Sequence, residues 1–303
     1  MLLGCPHRFL LEKIIGFEEP SGPPALREIG QPAYGGLFHL VAEQFYRRYG
    51  ERFCLGEGTL ADWLARLDPI VDGAFQAFVQ QYPLVGETVR AHERERLRQD
   101  LRDLLESDWK TGGSRRFVEV ERTFGRPAPV ALVLGDRTLY VHGRIDRLDV
   151  AGGVVVLRDL KTGRPSPRVG KAIGPDPGLD VQLGVYGLVV KALAQEWGLP
   201  ARVAASYAYF GRRGSGERAF RDDFATVLEP AVREWLALAA DLMAGRIFPR
   251  TPNADDCMYC AFRPVCGYAV YARAATLLDG AEGTLARFGV LKGMGEREDQ
   301  DDE

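Results

Sequence analysis

The sequence contains no apolar run close to the roughly 20 residues that a membrane-spanning helix needs. It also lacks a basic leader followed by an apolar stretch, the mark of a secretory signal. We therefore expect a cytoplasmic protein that does not associate with a membrane. Only five of its 303 residues are cysteine and four are histidine. In a reducing compartment, these cysteines are expected to bind metal rather than to form disulfides.

Positive charge is not in excess either, because the formal net charge is −3. Residues 296–303 hold six acidic side chains and one arginine, so the remaining chain is close to neutral. Any binding of DNA must therefore use local basic patches. The arginine-rich segment 87–109 is one candidate patch, and a solvated helix face is the alternative interpretation. No GxxxxGK[ST] phosphate-binding loop is present, so the chain alone is not expected to be an ATPase.

Hydrophobic residues make up 46% of the chain, enough for a sizeable core. Apolar residues recur at helical spacing within 5–107, alternate as in strands within 117–161, and follow a helix–strand–helix pattern within 180–244. This order predicts one α/β domain with a central mixed sheet flanked by helices. We assign residues 1–292 to this domain and residues 293–303 to an acidic, disordered tail.

A β-hairpin is predicted around the glycine pair 152–153, because tight two-residue turns need positive φ angles. A turn centred there places Asp146 directly opposite Asp159, with the two Cβ atoms about 4.5–5.5 Å apart. The next pair, Ile145 and Leu160, is then expected to point together into the core on the other face. The same register thus accounts for polar and apolar positions at once.

Two carboxylates so close together repel each other unless a cation lies between them. Their hard oxygens suit Mg²⁺ or Mn²⁺, which can activate water and stabilise the transition state of phosphodiester hydrolysis. Lys161 lies on the same strand face as Asp159 and can orient that water. The hairpin alone also allows a different interpretation, in which these side chains lie on the surface and pair with Arg144, Arg147 or Arg158.

Asp146 followed by Asp159-Leu160-Lys161 resembles the D…(D/E)xK signature of the PD-(D/E)XK nuclease superfamily. The flanking sequences GRID and DLKTG are similar to its RecB/AddB branch, although Ile145 stands where the superfamily name has proline. The resemblance implies a restriction-endonuclease-like fold and a Mg²⁺- or Mn²⁺-dependent deoxyribonuclease acting in DNA repair or recombination.

The resemblance also assigns a metal-binding role to a histidine on a predicted helix. His39, in the sequence GGLFH, would bind the metal together with Asp146 and Asp159. Glu121, on the strand before the hairpin, would contact metal or water. Glu119 lies on the same predicted strand face and is the competing candidate.

A QxxxY motif further downstream is similar to the helix that follows the hairpin in this family. Its spacing places Gln182 and Tyr186 on one helix face, where they can contact DNA or orient Lys161. Packing in the core is the alternative for Tyr186. The loop between the hairpin and this helix carries three cations that are candidate phosphate contacts or solvated side chains, namely Arg164, Arg168 and Lys171.

Cys257, Cys260 and Cys266 form a CxxCx₅C motif that lacks a fourth ligand. Zinc and a [4Fe–4S] cluster both usually take four thiolates, so spacing leaves both metals open, with Cys5 or Cys54 as the fourth ligand. The resemblance to AddB-type nucleases implies that Cys5 completes a [4Fe–4S] cluster joining the N- and C-termini.

The sequence therefore leads to the hypothesis of a single-domain DNA nuclease. The expected partners are DNA and a separate helicase subunit. The alternative is a non-catalytic DNA-binding or scaffold module of a helicase–nuclease complex, which would keep the fold but not the cleavage activity.

Overall fold

The computed structural model describes residues 1–18, 27–111, 115–163, 174–178, 180–210, 216–220, 223–258 and 260–294. The loop cations Arg164, Arg168 and Lys171 and the acidic residues from 296 onward lie outside these residues, so their predicted roles stay predictions. Within the described residues, none of the helices combines the length and the apolar character needed to cross a bilayer.

Helices dominate the first third and the last third of the chain. They are α1 Pro6–Phe9, which continues as a π-helical turn Leu10–Ile14, α2 Gln31–Cys54, α3 Leu60–Gln81, α4 Glu87–Lys110, α5 Val181–Leu193, α6 Glu229–Ala244, α7 Arg263–Cys266, α8 Val270–Leu278 and α9 Gly283–Leu291. The strands are β1 Arg116–Phe124, β2 Val130–Leu134, β3 Arg137–Val141, β4 Gly143–Ala151, β5 Val154–Lys161, β6 Val203–Tyr209 and β7 Gly216–Phe220.

Five strands form the central sheet in the order β1-β4-β5-β6-β7, and β2 and β3 form a separate hairpin. The pairing of β5 with β6 is parallel, whereas the other three pairings of the central sheet are antiparallel. The sheet is therefore mixed, with helices on both of its faces. This architecture confirms the predicted α/β fold and is consistent with a restriction-endonuclease-like domain.

Two hydrophobic clusters lie on opposite faces of the sheet. Helices α2, α3 and α4 bury aromatic and leucine side chains such as Phe38 and Leu101 in one cluster. Helices α5 and α6 enclose the other cluster, where the helices approach closely at two glycines. A Cβ atom at Gly184 would come within 2.1 Å of Val232, and one at Gly187 within 2.0 Å of Phe224. A larger residue at Gly184 would push α5 away from α6, and one at Gly187 would collide with Phe224 in the turn before α6.

The β4–β5 hairpin has the predicted turn and register. Gly152 and Gly153 both have positive φ angles, 55° and 74°. Strand pairing follows the predicted register from Ala151–Val154 at the turn to Arg147–Arg158. Register and turn were both readable from the sequence because the two glycines leave few other ways to close the hairpin.

The hairpin departs from the prediction beyond its last described pair, Arg147–Arg158. There the backbone N–H of Leu160 donates a hydrogen bond to Asp146 Oδ2 at 2.7 Å. Ile145 and Leu160 are not one core pair, as we had expected. Ile145 packs in the cluster beneath α5 and Leu160 in the cluster beneath α2. The prediction was wrong here because it continued an ideal two-stranded ladder past the point where a side chain replaces backbone pairing.

Candidate active site

A cavity of about 630 Å³ opens where α2, β1, the β4–β5 hairpin and α5 meet. All predicted catalytic and active-site metal-binding side chains line this one cavity, although they come from distant parts of the chain. The lining residues are Gly36, His39, Leu40, Glu43, Glu121, Arg144, Asp146, Asp159, Lys161, Gln182 and Tyr186.

The imidazole of His39 has its two nitrogens in very different surroundings. Nε2 lies 3.1 Å from the carbonyl oxygen of Leu160, which can only accept, so Nε2 carries a hydrogen and donates it. Nδ1 lies 3.0 Å from Glu121 Oε1 and 3.8 Å from Asp146 Oδ1. Burial lowers the pKa of His39, but the hydrogen bond to Glu121 and the charge of Asp146 outweigh it and raise the pKa. This nitrogen therefore needs a proton or a metal cation between itself and the carboxylates.

Ligand atoms of His39, Glu121 and Asp146 all lie within 4.8 Å of one another. Burial and the negative charge of Asp159 raise the pKa of Asp146 to about 7. Two carboxylates and one imidazole form a donor set that suits a divalent cation such as Mn²⁺ or Mg²⁺. The three residues come from α2, β1 and β4, so the sheet and its covering helix assemble the set together.

Glu121 has a positive φ angle of 52°, which is uncommon for a residue with a side chain. Such a conformation costs about 1–2 kcal/mol and persists only where surrounding contacts hold it. Glu121 is 5% exposed, and its Oε2 lies 2.6 Å from Nε of Arg144. Glu119, the competing candidate, does not line the cavity and pairs instead with Arg122.

Asp159 is almost completely buried, with 1% of its surface exposed. Its Oδ2 lies 2.5 Å from Nζ of Lys161, whereas Oδ1 accepts no hydrogen bond from any residue that the structure describes. Burial raises the pKa of Asp159, and the charge of Lys161 opposes that shift. A buried carboxylate oxygen without a partner is costly, so this oxygen is available to an external cation.

Lys161 is held in place from the side of α5. Its Nζ donates to Oε1 of Gln182 at 3.3 Å and lies 5.4 Å from the ring centroid of Tyr207. Gln182 Nε2 in turn lies 3.0 Å from the hydroxyl of Tyr186, whose ring packs edge-on against Phe124. Gln182 thus orients Lys161 geometrically, and Tyr186 both lines the cavity and packs against the core.

A buried ion pair fixes the start of α5. Asp180, which precedes the helix, accepts two hydrogen bonds from Arg218 of β7, at 2.8 and 2.5 Å. The backbone N–H of Leu183 also donates to the hydroxyl of Tyr207 at 3.2 Å. These contacts position the first turn of α5, and Gln182 with it, over the ends of β5 and β6.

Arg144 lines the cavity but was considered in the sequence only as a surface partner for the aspartates. It lies two residues before Asp146 on β4, and alternation along a strand could have placed both on one face. Arg147 and Arg158, the other proposed partners of the aspartates, are buried elsewhere and bind Asp108. The alternative of a hairpin surface neutralised by these arginines is therefore wrong for Arg147 and Arg158.

A second, much smaller cavity of about 20 Å³ lies between the two ends of the chain. Its lining includes Cys5, Cys257, Cys260 and Cys266, so the first cysteine meets the C-terminal three. Burial and the other nearby thiols raise the pKa of Cys257. Cys54 does not line this cavity, and its Sγ accepts a hydrogen bond from Arg147 at 3.2 Å. The folded chain therefore supports Cys5, rather than Cys54, as the fourth thiol.

Comparison with known protein families agrees with this geometry. The sequence profile of the PD-(D/E)XK nuclease superfamily matches residues 1–267. The chain belongs to the PD-(D/E)XK nuclease superfamily. This membership confirms the family expected from the hairpin motif and supports a nuclease-type function. Members of the superfamily typically use divalent metals, in keeping with the His39, Glu121 and Asp146 set.

Two curated relatives match part of the chain. A subunit of an ATP-dependent helicase/deoxyribonuclease from Moorella thermoacetica is 28% identical over 197 residues, which is 62% of this chain and 16% of the relative. The Gene 69 protein of Mycobacterium phage D29 is 29% identical over 123 residues, 40% of each protein. The matches thus span less than half the length of either relative.

A solved structure described as the crystal structure of SSO0001 aligns with 76% of this chain and 84% of that chain. The sequence identity is 19% and the TM-score is 0.31. A TM-score this low does not establish a common fold, so the architecture described above stands on its own topology.

Proposed function

We propose that this superfamily member is a Mg²⁺- or Mn²⁺-dependent deoxyribonuclease that hydrolyses phosphodiester bonds in DNA. One observation carries the proposal. The Nδ1 atom of His39 and the carboxylates of Glu121 and Asp146 converge on one point, beside a buried oxygen of Asp159 that has no partner in the described chain. This arrangement is unfavourable without a cation and favourable with one.

The residues that would hold the metal are His39, Asp146 and Asp159, with Glu121 as a further ligand. Their hard oxygens and single imidazole fit a divalent cation of the Mg²⁺ or Mn²⁺ class. Such a cation, when bound, polarises a phosphoryl oxygen and lowers the pKa of water.

The remaining side chains of the cavity would act on the substrate and on water. Lys161, anchored between Asp159 and Gln182, places a positive charge where negative charge develops on the phosphate. The Tyr186 hydroxyl can donate a hydrogen bond to a phosphate oxygen. Gln182 is a positioning residue, because it contacts both Lys161 and Tyr186.

We further propose that Cys5, Cys257, Cys260 and Cys266 hold a [4Fe–4S] cluster. The four thiols line one small cavity between the two ends of the chain. Zinc and a [4Fe–4S] cluster both take four thiolates, so the choice of the cluster rests on the resemblance to AddB-type nucleases. Closing a loop of about 250 residues would stabilise the fold by restricting the unfolded chain.

The expected substrate is DNA, and the expected setting is DNA repair or recombination in the cytoplasm. A separate helicase subunit is the proposed partner. The partial similarity to a protein named as a helicase/deoxyribonuclease subunit supports this association.

Cleavage of labelled DNA tests the enzyme directly. Anaerobically purified protein should degrade single- or double-stranded DNA only with Mg²⁺ or Mn²⁺, and Asp146→Ala should abolish this activity. End-labelled and circular substrates would then separate exonuclease from endonuclease activity. Binding of DNA without any cleavage by the cluster-containing protein would overturn the proposal in favour of the non-catalytic DNA-binding module.

A spectrum tests the metal of the cysteine site independently of activity. The protein should be brown, with absorbance near about 400 nm. Cys5→Ser should lose that absorbance, whereas the matched Cys54→Ser variant should keep it. A colourless protein containing about one zinc per chain would overturn the assignment of the cluster.

A further inference from the structure

A groove of about 520 Å³ runs between α2 and α3 and adjoins the catalytic cavity. The two cavities share one lining residue, Leu40, whose side chain is 44% exposed. Small residues on α3, including Gly73 and Ala74, form part of the groove and leave it open. The groove thus extends the catalytic cavity along the outer face of the helical layer.

Two arginines are held over aromatic rings in this groove. The guanidinium carbon of Arg48 lies 5.9 Å from the ring centroid of Tyr49, and that of Arg66 lies 5.5 Å from the same ring. Arg66 also lies 5.3 Å from the ring of Trp63. Stacking on an aromatic ring restrains a guanidinium without using its N–H donors, so these donors remain available to a ligand.

Neither arginine forms a close ion pair in the part of the chain that the structure describes. Among the described residues, no carboxylate oxygen lies within 4.0 Å of Arg48 or Arg66. Asp62, one helical turn before Arg66, caps α3, where it accepts a hydrogen bond from the backbone N–H of Thr59 at 3.1 Å. Its pKa is lowered mainly by the hydrogen bonds from Thr59, and the charge of Arg66 contributes less. Glu43, one helical turn before Arg47 on α2, lines the catalytic cavity. It pairs with Arg47 at 2.8 Å.

The arginine-rich helix α4 differs in this respect. Arg98 lies 2.7 Å from Asp72 of α3, and Arg102 lies 2.9 Å from Asp68 of the same helix. These contacts favour the interpretation of α4 as an ion-paired, solvated face over that of a DNA-binding patch. Arg98 and Arg102 of α4 are thus neutralised by α3, whereas Arg48 and Arg66 of the groove have no such partner among the described residues.

We infer that the α2–α3 groove binds the phosphate backbone of a single DNA strand whose scissile phosphate lies in the catalytic cavity. This inference rests on the proposed nuclease function. Arginine binds phosphate oxygens through paired N–H donors, and a positively charged groove with aromatic side chains is typical of proteins that track single strands. Because Leu40 lines both cavities, the strand would pass over this side chain from one cavity to the other.

Binding measured without cleavage tests the groove. Fluorescence anisotropy with a labelled single strand of about 20 nucleotides, in EDTA, gives the dissociation constant of the complete protein. The Arg48→Gln/Arg66→Gln variant should bind roughly tenfold more weakly, and the slope of log K against log salt should decrease by about 1.4. Strands of thymidine and of adenosine should lose the same factor, because the backbone is common to both.

A matched control variant removes two positive charges from another part of the surface. Arg52→Gln/Arg287→Gln deletes two exposed arginines that pair with Glu57 and Asp241, and it should bind DNA like the unmodified protein. Equal affinity of the two double variants, no DNA binding at all, or a loss confined to one base type would each overturn the inference. Groove-dependent binding without Mg²⁺- or Mn²⁺-dependent cleavage would keep the groove and overturn the nuclease function instead.

Discussion

Adjacent residues of one hairpin serve two charged clusters of opposite character. Asp146 and Asp159 line the candidate active-site cavity, whereas their neighbours Arg147 and Arg158 are buried toward α4 and bind Asp108. We call the second set the arginine network. The carboxylate of Asp108 also accepts a hydrogen bond from the Tyr46 hydroxyl at 2.5 Å.

The two clusters differ in how the carboxylates are compensated. Burial alone would raise the pKa of Asp108, but the charges of Arg147 and Arg158 outweigh it and lower the pKa to about 2. In the cavity, burial and a second carboxylate raise the pKa of Asp146 to about 7. The two carboxyl groups are similarly buried, yet their pKa values shift in opposite directions. The arginine network carries its own cations, whereas the proposed function supplies the cavity with a cation from solution.

The largest expected difference between the clusters is in cleavage. Asp159→Asn should reduce cleavage about 10³-fold, because it removes a metal ligand, yet leave the melting temperature unchanged or higher. Asp149→Asn is the matched control, since Asp149 is equally buried on the same hairpin but accepts hydrogen bonds from Arg147. Initial rates and thermal melts check both variants. Loss of cleavage in folded Asp149→Asn would contradict this division of roles.

Stability should respond most to the arginine network. Asp108→Asn leaves Arg147 and Arg158 without their shared carboxylate and should cost about 3–5 kcal/mol in the free energy of unfolding. Cleavage per folded molecule should stay within about twofold. Asp103→Asn on the same helix, where the carboxylate accepts a hydrogen bond from Gln99, should change stability little. Similar urea midpoints for the two variants would show that the network does not stabilise the fold.

In the metal-free protein, the two clusters should make the free energy of unfolding change with pH in opposite directions. Asp108 has a lowered pKa, so its contribution is complete above about 3.8 and is lost as the pH falls through about 2, on the order of 2 kcal/mol. Asp146 has a raised pKa, so stability should decline as the pH rises from about 4 to about 7.

Two variants identify which residue causes each part of this dependence of stability on pH. Asp108→Asn should abolish the loss of stability as the pH falls through about 2. Asp146→Asn should reduce the decline in stability between about pH 4 and pH 7. Mn²⁺ should also reduce the decline in the unmodified protein, because the cation compensates the carboxylates. Thermal melts at several pH values measure this decline in stability. If neither Asp146→Asn nor Mn²⁺ changes it, the decline does not arise from the carboxylates of the cavity.

The smallest effect is expected at the boundary of the cavity. Arg144 is 61% exposed and pairs with the buried Glu121. Arg144→Gln should change stability by less than about 1 kcal/mol, as for other exposed ion pairs. It should also lower the Mn²⁺ concentration for half-maximal cleavage about threefold, because the cavity becomes more negative. A large fall in the maximal rate with unchanged Mn²⁺ dependence would instead make Arg144 a substrate contact.

Much of the fold was predictable because its signals are local. The hairpin register follows from two glycines, and the QxxxY spacing places Gln182 and Tyr186 on one face of α5. Strand β7 was not predicted. It has only five residues at the edge of the sheet, with Glu217 and Arg218 among them, so its hydrophobic alternation is weak.

The candidate site was predictable as a set of residues but not as a set of contacts. Family motifs single out His39 and the hairpin aspartates. They do not reveal that Nδ1 of His39 faces Glu121, 82 residues away in the chain. The sequence also did not reveal that Ile145 and Leu160 pack in different hydrophobic clusters. The reason is that the backbone N–H of Leu160 bonds to the Asp146 side chain instead of continuing the regular strand pairing.

The sequence by itself determined the α/β class, the hairpin turn, the family and the side chains available for metal binding. Only the tertiary structure decided which charges compensate one another. Asp108 meets Arg147 and Arg158 from 39 and 50 residues away, while Arg48 and Arg66 lie over aromatic rings with no close ion-pair partner among the described residues. The reason is physical: turns and helix faces depend on neighbours in the chain, whereas desolvation and ion pairing depend on neighbours in space.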